Sequence, residues 1–232
     1  MTTSVGRTVP SSFVATRTGL HMVAEHVLAP ARYAAAGRIG LVVQEGGFCT
    51  PPFASDPTVL GIVGDELFVR RGDDERRRPL TTLREAATFA GTPLGAPASV
   101  YRPATPFAPD SPLAIDRAEA QEILSWYGQV DAALHRVAAD DGASIEPTLW
   151  PEHLDVAIRL DDINLGGLAG DDVVPEPYAY VGPPASVISA DSFFTYPFGA
   201  ARTWREIPTL NAIVTFFHEG LTRARTSSRR PS

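Results

Sequence analysis

Thr148-Leu149-Trp150-Pro151-Glu152-His153-Leu154-Asp155-Val156-Ala157-Ile158-Arg159-Leu160 is the stretch whose alternation decides the fold class. Leu154, Val156, Ile158 and Leu160 fall on one side, and His153, Asp155, Ala157 and Arg159 on the other. That period of two predicts a strand with one face against a core. A second stretch, Pro175-Glu176-Pro177-Tyr178-Ala179-Tyr180-Val181-Gly182-Pro183, places both tyrosines on one face of a strand over residues 178–181. Between them the spacing predicts a short strand over 163–165, then a glycine-rich loop over 166–172 flexible enough to fold over the face that the two strands share.

Working outward, Leu20, Val23, Ala24, Val27 and Leu28 form a one-sided apolar stripe, which predicts a helix over 18–29 ended by Pro30. Ile39, Leu41 and Val43 alternate as a strand, and residues 46–53 read as a turn and a proline-constrained extended segment. Residues 58–63 and 66–70 flank Gly64-Asp65 as a hairpin. Thr82 with Glu85 and Gly91 mark the ends of a short helix. The Pro/Ala/Gly-rich residues 92–112 read as a linker or long crossing loop. Asp116 with Glu119 caps a long helix over 117–139, an extended aromatic stretch is expected over 193–198, and a last helix over 209–223. No internal repeat is visible in the residues. Strands come in local groups instead of alternating with helices, so the expected class is α+β, a mostly antiparallel sheet packed with about three to four helices. One domain is expected over 16–225, with disordered tails at 1–15 and 226–232.

The composition removes several chemistries. All 20 basic residues are arginine and no lysine occurs, so Schiff-base, pyridoxal-phosphate and P-loop lysines are excluded. A GC-rich coding bias accounts for the absence. Cys49 is the only cysteine, which excludes an intramolecular disulfide and a CxxC motif. A net charge of -7 argues against a nucleic-acid partner. No apolar run is long enough for a membrane span and residues 1–12 lack a signal-peptide core, so a soluble, cytoplasmic protein is expected. No cofactor and no oligomeric state is indicated.

The candidate site gathers on the two opening stretches. His153 is the candidate acid/base, Asp155 the carboxylate that would orient it, and Trp150, Glu152, Glu176, Tyr178 and Tyr180 candidate contacts for a small-molecule ligand. A metal at His153 and Asp155 is disfavoured, because no second histidine stands at a recognised spacing. Two functions stay open, and enzymatic activity with them. One is a protein binding or transforming a small molecule on this face. The other is a non-catalytic structural or interaction domain whose polar sheet face is merely solvated. The remaining candidates have plainer readings. His21, Glu25 and His26 are expected on the polar side or boundary of the first helix, Asp131–His135 as a helix-stabilising pair, and His218 at the edge of the core. Cys49 reads as a small buried hydrophobe, and Arg70-Arg71 with Arg76-Arg77-Arg78 as a solvated hairpin tip.

The blocks Leu149-Trp150-Pro151-Glu152-His153-Leu154-Asp155-Val156-Ala157 and Glu176-Pro177-Tyr178-Ala179-Tyr180-Val181-Gly182-Pro183 resemble a pattern in a family of uncharacterised proteins from high-GC bacteria. Leu20-His21-Met22-Val23-Ala24-Glu25, Ala29-Pro30-Ala31-Arg32, Gly46-Gly47-Phe48 and Thr50-Pro51-Pro52-Phe53 fit the same pattern, which covers most of residues 18–220. The order of blocks is distantly similar to a broader domain-of-unknown-function family. That family has an Asn-Tyr-Gly…Ser-Pro-Gly-Asp loop where this chain has Asn164-Leu165-Gly166-Gly167-Leu168-Ala169-Gly170-Asp171. The resemblance implies no activity.

Overall fold

The computed structural model describes residues 9–53, 57–189 and 191–228. The expected tail residues 1–8 and 229–232 lie outside the described residues. The first helix starts earlier than its apolar stripe suggests, at α1, Ser11–Val23. Phe13 is buried on it, a contribution of about 1.5–3 kcal/mol that no disordered tail would supply. The helix also runs past its expected end. A π-helical turn, Ala24–Leu28, leads directly into α2, Ala29–Ala36, with Pro30 inside. Proline lacks the N–H that would bond the carbonyl four residues back, and here the amide of Gly95 takes up the His26 carbonyl at 2.9 Å. The extra residue of the π-turn and this outside donor together let the helix pass the proline.

Five antiparallel strands follow as a meander: β1 (Val42–Gln44), β2 (Gly47–Cys49), β3 (Thr58–Val63), β4 (Glu66–Arg71) and β5 (Asp74–Pro79). The arginine run is therefore strand β5 and not a hairpin tip; the tip is Gly72-Asp73. β5 is exposed along its whole length, and its charges guard the free edge of the sheet. Helix α3 (Leu83–Ala90) is capped by the Thr82 hydroxyl accepting from the Glu85 amide, with Gly91 left-handed after its end. A long crossing loop then leads to α4 (Arg117–Asp140), where Asp116 accepts from the amides of Ala118 and Glu119.

The second meander is β6 (Thr148–Trp150), β7 (Asp155–Leu160), β8 (Ile163–Leu168), β9 (Tyr178–Gly182) and β10 (Ala200–Thr203), with a short helix, α5 (Ala185–Ile188), before β10. Helix α6 (Leu210–Ser228) ends the fold and extends beyond residue 226, where a tail was expected. The stretch 193–198 is not a strand. Phe193 and Phe194 turn into the core, and only Tyr196 makes an isolated bridge, to Gly199. The class is α+β as expected, but with two sheets. They meet edge to edge, where Leu41 and Leu149 exchange two backbone hydrogen bonds of 2.9 Å. A leading helical segment, a five-strand meander and a closing helix thus occur twice in order, the second meander with α5 inserted before its last strand, although no repeat shows in the residues. The core tolerates different apolar side chains as long as the pattern is kept. Helix α4 packs on both meanders, and one apolar cluster runs from Phe13 through Phe48, Tyr127 and Val156 to Phe217.

Candidate functional site

The opening stretch does not form one strand. β6 and β7 are two arms of a hairpin, with Trp150 opposite Asp155 and residues 151–154 as the turn between them. Leu154 has a φ of 48°, in the left-handed region, where a branched side chain is strained. Two anchors hold it there. Its side chain is 2% exposed, and its carbonyl accepts the buried Tyr127 hydroxyl at 2.5 Å. The break takes His153 out of the strand, so the expected His153–Asp155 alternation is lost. His153 stands exposed in the turn, and no hydrogen bond joins its ring to Asp155.

From Asp155 onward the alternation is as read. Val156, Ile158 and Leu160 are buried, while Ala157 and Arg159 face outward. Residues 166–168, expected in a loop, belong to β8, which separates the two strands expected to pair. Register nevertheless brings their polar faces together. Asp155, Leu168 and Tyr178 stand in one row across β7, β8 and β9, and Ala157, Gly166 and Tyr180 in the next. Gly166 is required here: a Cβ would lie 2.7 Å from the Tyr180 hydroxyl. Its absence lets the Tyr180 ring lie over β8 and donate its hydroxyl to Asp155 Oδ2 at 2.6 Å.

This face is not a solvated sheet surface. Asp155 is 8% exposed and Tyr178 3%. Tyr178 donates to Asp171 Oδ2 at 2.6 Å, and Asp171 Oδ1 accepts from the amides of Val173 and Val174. Two Tyr–Asp pairs therefore lie side by side, backed by Phe198, whose ring centroid is 6.1 Å from Tyr178 and 6.5 Å from Tyr180. Burial holds both tyrosines as neutral hydroxyls, their pKa values raised first by desolvation and then by the neighbouring carboxylates. Burial likewise pushes the Asp155 carboxyl above the ordinary carboxylate value, and the Tyr180 hydrogen bond opposes this only in part. The second oxygen, Oδ1, is buried without a hydrogen-bond partner among the described residues, and so is Glu152 Oε2 in the adjoining turn.

These groups line a cavity of about 780 Å³, closed on other sides by Arg17 and His21 of α1, Thr105 of the crossing loop and Ile188 of α5. Glu152, His153, Asp155, Tyr178 and Tyr180 are all among its walls. Trp150 and Glu176 are not. Trp150 is 39% exposed, and Glu176 accepts from Trp204 Nε1 and Arg205 Nε on another part of the surface. The Arg17 guanidinium donates to the carbonyls of Ala169 and Pro175, which ties α1 to the loop after β8.

Two side chains that support the Thr105 wall of the cavity from behind, without lining it, were not legible in the sequence. Glu25 and His26, expected on the polar side or boundary of the first helix, are 0% and 1% exposed. The π-turn adds a residue to one turn and rotates both side chains inward, toward the crossing loop. Glu25 accepts from the amides of Ala104 and Thr105 and from the Thr105 hydroxyl. His26 Nδ1 accepts from the Ala96 amide, so its proton is on Nε2, which donates to Thr105 Oγ1 at 3.1 Å. His21 Nε2 donates to the Pro151 carbonyl at 2.8 Å, fixing the hairpin turn that carries Glu152 and His153. Burial lowers the pKa of both His21 and His26 and keeps them neutral scaffolding. Pro30 after a helical stripe was the one available signal, since a helix that passes a proline must distort before it.

The other plain readings agree with their surroundings. Asp131 and His135 pair at 3.5 Å, and Cys49 is buried, its thiol pushed up to about 11 by desolvation. Among the described residues no group of three His, Cys, Asp or Glu could hold a metal ion, and no helix is long and apolar enough to cross a membrane. Compared with family models, curated proteins and solved structures, the chain matches none.

Proposed function

We propose that this protein binds a small organic molecule in the cavity between α1, the crossing loop and the Asp155–Tyr180 face of the second meander. One observation carries the reading: Asp155 is buried at the wall of a cavity of about 780 Å³ with Oδ1 unpartnered. A buried polar atom without a partner costs about 1–3 kcal/mol, and native folds rarely keep one without a use. The volume lies in the range of small-molecule pockets, and the walls mix aromatic rings with a few placed polar groups.

The geometry supports binding through Asp155 better than catalysis by a His153–Asp155 dyad. Asp155 spends its one occupied oxygen on Tyr180, and no hydrogen bond joins it to His153 in the turn. Ligand-observed NMR with a fragment library tests the reading, comparing the wild type with Asn164→Trp. Asn164 is exposed on the same face of β8 and lines the cavity, so the indole takes up its space without entering the core. Fragments that bind the wild type and are lost in Asn164→Trp support the proposal; no bound fragment, or equal binding to both proteins, overturns it.

A further inference from the structure

The chemistry of the cavity wall narrows the class of molecule. Among the described residues four carboxylates line it, Glu152, Asp155, Asp171 and Asp172, against one arginine. That arginine, Arg17, has its Nη1 engaged by two backbone carbonyls. His21, held neutral by burial, adds no positive charge, and His153, the other histidine of the wall, is exposed in its turn and makes no hydrogen bond to Asp155. Asp171 is saturated by two amides and the Tyr178 hydroxyl. Asp155 Oδ1 and Glu152 Oε2 are not: both are buried acceptors with no donor among the described residues. Asp155 itself is 8% exposed, so its ionised form is poorly hydrated and gains most from an opposite charge brought to it.

Beside it the rings of Tyr178, Tyr180 and Phe198 offer faces whose quadrupoles attract a cation and whose area suits an apolar body. A metal ion is a poor fit, because no three ligating side chains converge among the described residues. We infer that the cavity takes a small organic ammonium, its charged nitrogen paired with Asp155 and its apolar body against Tyr180 and Phe198. The inference rests on the small-molecule reading above and goes further by fixing the sign of the ligand's charge.

Benzylammonium, benzyl alcohol and benzoate share a shape and differ in charge, so titrating each into the ¹⁵N-labelled full chain at neutral pH separates the two claims. Benzylammonium is expected to shift the amides of Asp155, Leu168 and Tyr180 and to bind at least about tenfold tighter than benzyl alcohol, with benzoate weakest. Asp155→Asn keeps the shape and an acceptor for Tyr180, and should remove that tenfold preference of the ammonium over the alcohol. Equal or tighter binding of the alcohol or benzoate overturns the ammonium assignment and leaves the small-molecule site standing. No shift of any cavity amide by any probe overturns both. Should Asp155→Asn not fold, the ranking of the three probes on the wild type decides alone.

Discussion

Replacing Tyr180 by Phe removes one oxygen from the protein, and the structure says what that oxygen does. It is the donor of the 2.6 Å hydrogen bond to Asp155 Oδ2, the one side-chain hydrogen bond that Asp155 receives among the described residues. A hydrogen bond to a charged group contributes about 1.5–3 kcal/mol and one between neutral groups about 0.5–1.5 kcal/mol. The loss therefore depends on the protonation of Asp155. Its folded pKa is raised above the unfolded value of 3.8, first by burial. The stability this gives is fully present below 3.8 and is lost as pH rises through the folded pKa. Removing the Tyr180 hydroxyl raises that pKa further, so the variant keeps losing stability at pH values where the wild type has stopped. Urea unfolding at about pH 9 should show Tyr180→Phe less stable by about 1.5–3 kcal/mol, and at about pH 4 by about 0.5–1.5 kcal/mol. In an Asp155→Asn background the cost should stay at the smaller figure at both pH values. Equal costs at the two pH values in the wild-type background, or the full cost in the Asp155→Asn background, would refute the coupling.

Gly166→Ala places a methyl 2.7 Å from the Tyr180 hydroxyl and from the Val156 carbonyl, so it should cost about 1–3 kcal/mol in thermal unfolding and displace Tyr180 from Asp155. Glu25→Ala removes the acceptor of the part-buried amides of Ala104 and Thr105, about 0.5–1.5 kcal/mol for each hydrogen bond lost, and should speed hydrogen exchange across residues 95–105 while sparing β3 and β4. His21 and His26 should titrate below 6.5 in the folded protein by NMR. Unfolded chains then take up these protons first, and this contribution to stability falls as pH drops below 6.5. Cys49, with a thiol raised to about 11, should resist iodoacetamide at about pH 8 until the protein unfolds.

Local chemistry made much of this fold legible. Thr82 and Asp116 announce their helices because a side-chain oxygen meets orphan amides within three residues. Gly64-Asp65 announces its hairpin because a two-residue turn needs a left-handed backbone, which Gly64 adopts at φ 59°. Failures arose where a distant partner decided the conformation. Leu154 adopts a left-handed backbone because Tyr127, on the distant helix α4, holds its carbonyl, and this breaks the strand that would have placed His153 beside Asp155. Pro30 stays inside a helix because Gly95 supplies the missing donor, and the π-turn that follows from it turns Glu25 and His26 inward. In the site, Glu152, His153, Asp155, Tyr178 and Tyr180 could be named from residue type and alternation. Arg17, His21 and Thr105 could not, since only tertiary packing brings them to the cavity.

The protonation of Asp155 tests the central claim most directly. A ¹³C-carboxyl titration of the free protein should find Asp155 above the ordinary value of 3.8, and saturating benzylammonium should lower it as the ammonium pairs with the carboxylate. An Asp155 that titrates at or below 3.8 in the free protein, or one indifferent to the ammonium, would contradict the account.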